Sequence, residues 1–82
     1  MDNTISKVLE LTVQKQMNNP EFGNDLVNYL KLIAVQECPE ERIDELRKMV
    51  EENKVDIKQF YYFVASFVPD LSKKIIDYIE AY

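Results

Sequence analysis

The sequence predicts an all-α fold, a compact single-domain bundle of four to five short helices spanning residues 1–82. Three observations carry that expectation. Apolar residues, 46% of the 82, recur at spacings of three and four rather than two. The three prolines, Pro20, Pro39 and Pro69, fall between the apolar stretches rather than inside them. One glycine, three prolines and 30% charged residues exclude a disordered tail, a collagen-like repeat and a low-complexity linker.

The first helix is expected over about Thr4–Met17. Ile5, Val8, Leu9, Thr12 and Val13 fall on one face at about 100° per residue, with Leu11 off it. Asn18-Asn19 ends it, because asparagine caps readily and tolerates the left-handed conformation. Asn19-Pro20-Glu21 opens the second helix. Proline wastes no N–H in a first turn, and a carboxylate there faces the positive end of the helix dipole. This helix continues to about Gln36. Phe22, Leu26, Tyr29, Leu30 and Ile33 make one face, while Val27, Leu32, Ala34 and Val35 spread over the others. A helix apolar on several sides is normally surrounded, so it reads as the central helix. Gly23 in its first turn weakens propensity and permits close approach.

Cys38-Pro39-Glu40-Glu41 repeats the opening signal for a third helix to about Asn53, with Ile43, Leu46 and Val50 inward and Met49 at the flank. The fourth starts with Asp56 as N-cap and carries Ile57, Phe60, Tyr61, Phe63, Val64, Phe67 and Val68. Pro69 stops it by pushing the preceding residue out of the helical region. The fifth starts at Asp70, with Leu71, Ile75, Tyr78, Ile79 and Tyr82 on one face. The connections are short, which favours antiparallel or sharply angled neighbours.

Composition bounds function by exclusion. Fifteen acidic against ten basic residues give a formal charge of -5. That field repels a polyanion and speaks against nucleic acid, while it suits encounters with basic protein surfaces. No run approaches the roughly 20 apolar residues that cross a bilayer, and Met1–Thr4 has no secretory character. Cys38 is the only cysteine, so no internal disulfide forms; small domains of oxidising compartments usually carry several. A cytoplasmic setting, with no membrane and no cofactor, is the expectation.

No catalytic constellation is legible. Cys38 sits at a helix start, which favours a thiolate, but Glu37, Glu40 and Glu41 oppose it and the chain has no histidine to act as base. Glu40, Glu41, Asp44 and Glu45 cluster on the third helix, with i,i+4 pairs at 40/44 and 41/45. Such pairs can hold a hard cation, but no ligand loop accompanies them. Asp44 and Lys48 have the favourable order for an ion pair, whereas Arg47–Glu51 and Lys48–Glu52 have the weaker one. A solvated face, or a docking face for a basic partner, accounts for the cluster. Acyl carrier proteins share this size, acidity and helicity, but they carry their prosthetic group on a serine directly after an aspartate. Asp70-Leu71-Ser72 and Ala65-Ser66-Phe67 lack that order.

Two further features concern contact. In Phe60-Tyr61-Tyr62-Phe63, the helical spacing sends Phe60, Phe63, Val64 and Phe67 to one face and Tyr62 nearly opposite, beside Lys58 and Ser66. An outward tyrosine is either incidental or an anchor on an interaction surface. Leu11, Val27, Leu32, Val35, Met49 and Ile76 lie off the main faces. Either the second helix is wholly buried, or Leu32 and Val35 share an outward seam.

The expectation is a non-enzymatic protein–protein interaction module, such as an adaptor, inhibitor or regulatory subunit. Its partner is another protein or a second copy of itself. The candidate contact residues are Glu40, Glu41, Asp44, Glu45, Leu32, Val35 and Tyr62. The alternative is a helix-turn-helix-like regulator linked to nucleic acid, using the third and fourth helices with Lys54, Lys58 and Tyr62. Five acids against four bases over Ile43–Val64 weaken it.

Overall fold

A computed structural model describes residues 3–52 and 56–82, and all its regular structure is helical. Five helices run α1 (Asn3–Asn18), α2 (Phe22–Glu37), α3 (Glu40–Glu51), α4 (Ile57–Ala65) and α5 (Leu71–Ala81). The all-α bundle expected from periodicity is the fold observed. A radius of gyration of 12.3 Å compares with about 12 Å for a close-packed chain of this length.

The local signals act much as the sequence implies. The Asn19 Oδ1 accepts the Glu21 N–H at 3.1 Å, and the Asn19 carbonyl accepts the Phe22 N–H at 3.0 Å. Asn19 thus performs a cap's task, although Pro20 and Glu21 form a turn and regular helix begins at Phe22. At α4, the Asp56 carboxylate accepts the Lys58 N–H at 3.2 Å, as an N-cap should. Asp70 stands at the start of α5 but makes no side-chain capping bond. Pro39 takes the N-cap position of α3 rather than the first helical one, and it holds Cys38 extended at φ -74°, ψ 128°.

The fourth helix is shorter than expected. It ends at Ala65, not at Pro69. Ser66 explains the early stop: its Oγ donates to the Phe63 carbonyl at 2.6 Å, while the Ser66 N–H is shared between the carbonyls of Tyr62 and Phe63. Such shared bonds tighten a terminal turn. The chain then continues through Phe67 and Val68, whose N–H groups both reach the Val64 carbonyl. The expected end of α3 at Asn53-Lys54 lies outside the described residues, and of the expected turn from Asn53 to Asp56 only Asp56 lies within them.

α2 packs on α1 and α4, and α5 packs on the same two helices. Their inner faces make the core: Ile5 and Val8 from α1; Phe22, Leu26, Leu30, Ile33 and Ala34 from α2; Phe60, Tyr61 and Val64 from α4; Leu71, Ile75 and Ile79 from α5. Thr12 is also buried, and its hydroxyl is satisfied within its own helix by the Val8 carbonyl at 2.7 Å. Val68 fills the corner between α4 and α5. α3 adds one buried residue, Leu46, with Met49 packed beside it.

Aromatic rings fasten α5 to α2. Tyr29 and Tyr78 stack at 4.1 Å between centroids with planes 12° apart, and Tyr82 meets Phe22 edge-on at 4.7 Å. The Tyr82 hydroxyl donates to the Asp25 carboxylate and accepts from the Asn19 side-chain amide. At the other end, the Lys74 ammonium reaches Glu37 at 2.7 Å. Glu37 with Lys74, Tyr29 with Tyr78 and Asp25 with Tyr82 fix an antiparallel pair.

Candidate interaction surface

The surface begins with the way α2 divides its apolar residues. Phe22, Leu26, Leu30, Ile33 and Ala34 turn inward and are buried. Leu32 and Val35 turn out, 55% and 68% exposed. Complete burial of α2, one of the two expectations, does not occur; its outer side stays open. Asn24 and Asn28 are exposed and Lys31 is half-buried. No carboxylate occurs from Leu26 to Gln36. The remaining off-face residues split: Leu11, Met49 and Ile76 pack against the core, and Val27 is half-buried.

The acidic cluster on α3 is exposed at Glu40, Glu41, Asp44 and Glu45. Glu45 is partly neutralised by Arg42, 3.0 Å away. Among the described residues, Asp44 with Lys48, Arg47 with Glu51 and Lys48 with Glu52 do not form the ion pairs their spacing allows. Exposed pairs return little in water, which leaves these side chains free to stay hydrated. No group of three metal-ligating side chains is gathered among the described residues. The cluster is an exposed acidic face with one ion pair, Arg42 with Glu45, inside it.

Tyr62 is exposed on α4, as its spacing implies, while Tyr61 turns in and shares a 2.7 Å hydrogen bond with Ser72. That bond engages Ser72 internally, and Ser66 is engaged by Phe63. Lys58 and Gln59 are exposed beside Tyr62. Lys54, which the nucleic-acid reading needs, lies outside the described residues. The structure thus keeps the seven candidate residues at the surface but on three helices, and only Leu32 with Val35 forms an apolar pair on one helix.

Cys38 is half-buried between α2 and α3, with its thiol 3.4 Å from the Pro39 carbonyl. Its pKa is raised, first by desolvation and then by Glu45, against an opposing pull from Arg42. The direction matches the sequence argument but the main cause differs: burial raises the thiol, the Arg42 pull outweighs the push from Glu45, and Glu45 rather than Glu37, Glu40 or Glu41 is the acid that acts. A helical turn brings Glu45 back toward the helix start, a step that counting adjacent residues misses.

Sequence reasoning also missed a cleft of about 360 Å³ between α1, the start of α2 and the start of α4. Leu9, Val13, Pro20, Val27 and Ile57 give it apolar walls, and Gln16, Asn24 and Asp56 give it polar edges. Gly23 lies in its wall, where the Gln16 side-chain amide occupies the space a β-carbon would take. That glycine was the available signal. Val13 is exposed at the cleft, and Met17, one turn on, is 81% exposed.

No helix among the described residues is long and apolar enough to cross a membrane. Comparison of the chain with protein-family models, with curated proteins and with solved structures finds no match.

Proposed function

We propose that this chain is a non-catalytic protein-interaction module that docks through the outer side of α2. The observation that carries the reading is the exposure of Leu32 and Val35 on a helix whose inner face already completes the core. Two aliphatic side chains side by side in water gain by being covered, and the fold does not need them for its own packing. The acidic face of α3 plays a supporting part, steering basic surfaces toward the molecule at long range. A small regulatory subunit, adaptor or inhibitor working in the cytoplasm fits this arrangement.

The test is a paired recovery experiment. Tagged wild-type chain and its Leu32→Asp variant are used to recover bound protein from the native extract, and circular dichroism checks the fold of both. The expected result is a stoichiometric partner, which can be the chain itself, recovered by the wild type and lost with the folded variant. A chain that recovers nothing and stays monomeric at every concentration removes the reading. Unfolding by Leu32→Asp would assign Leu32 to the core and remove the seam.

A further inference from the structure

We draw no further inference here: the strongest candidate, the cleft between α1 and the starts of α2 and α4, sets the Asp56 carboxylate against the positive ends of two helices, so nothing in the structure selects the charge or the kind of molecule that would fill it.

Discussion

α2 and α3 begin with nearly the same words and end up differently held. Asn19-Pro20-Glu21 and Cys38-Pro39-Glu40 both announce a helix, and both helices form. α2 buries five residues and is tied to α5 by stacked rings and to α1 by close packing. α3 buries Leu46 alone; Ile43 is half-buried and Val50 is 38% exposed. The opening signal therefore sets where a helix starts, and the number of inward side chains that meet a neighbour sets how firmly it is held. Local and tertiary terms are separate here.

The sharpest way to break this contrast is to truncate one leucine in each helix. Leu26→Ala, at a fully enclosed site, should cost about 3 kcal/mol in urea unfolding. Leu46→Ala should cost about half as much, because fewer neighbours lose contact. Equal costs would make α3 as integral as α2. Native-state hydrogen exchange should show the same ordering without any mutation. Amides of α3 should open by local fluctuation while those of α2 wait for global unfolding. Exchange at one common rate would erase the distinction.

Smaller effects probe the fastening of α2 to α5. Tyr29→Leu keeps apolar bulk but removes the stack on Tyr78, and about 1 kcal/mol of stability should go with it. The pH response has a definite sign. Tyr82 is held above its ordinary pKa chiefly by its hydrogen bond to Asp25, and Tyr78 is held above its own by burial and then by Asp25. Lys74 is raised mainly by its hydrogen bond to Glu37. Each raised group stabilises the fold below its unfolded pKa and loses that contribution as pH climbs through the folded one. Thermal stability should therefore fall on the alkaline side, above about pH 10. Tyr82→Phe should flatten that fall, since no phenolate then forms beside Asp25. An unaltered alkaline limb in Tyr82→Phe would show that this contact does not control it. Lys74→Gln should have the least effect near neutrality, because the pair it breaks is exposed.

What the residues disclosed beforehand follows the same division. Asn19 and Asp56 were legible as caps because a cap is a local bond between neighbours in the chain. Leu26, Leu30, Phe60 and Ile75 were legible as core because periodicity sorts a helix into faces. Whether Leu32 and Val35 face solvent or another helix was not, since periodicity names a face without naming what lies opposite. Val50 fails for that reason: it points the expected way and meets too little. The Tyr29–Tyr78 stack joins residues far apart in sequence: periodicity puts each on the apolar face of its own helix without naming the other as its partner. Contacts between helices depend on how the helices pack, which no single helix encodes.

The link between Asp25 and Tyr82 spans 57 residues. While the chain is being made on the ribosome, α2 emerges long before its closing partner exists. Tyr82 and Tyr78 cannot cover Phe22 and Tyr29 until α5 clears the exit tunnel. Helices can form within microseconds while translation adds about 5 to 20 residues each second, so for seconds the nascent chain displays an unfinished aromatic face. That interval is when a chaperone, or a neighbouring nascent copy, would first meet this molecule.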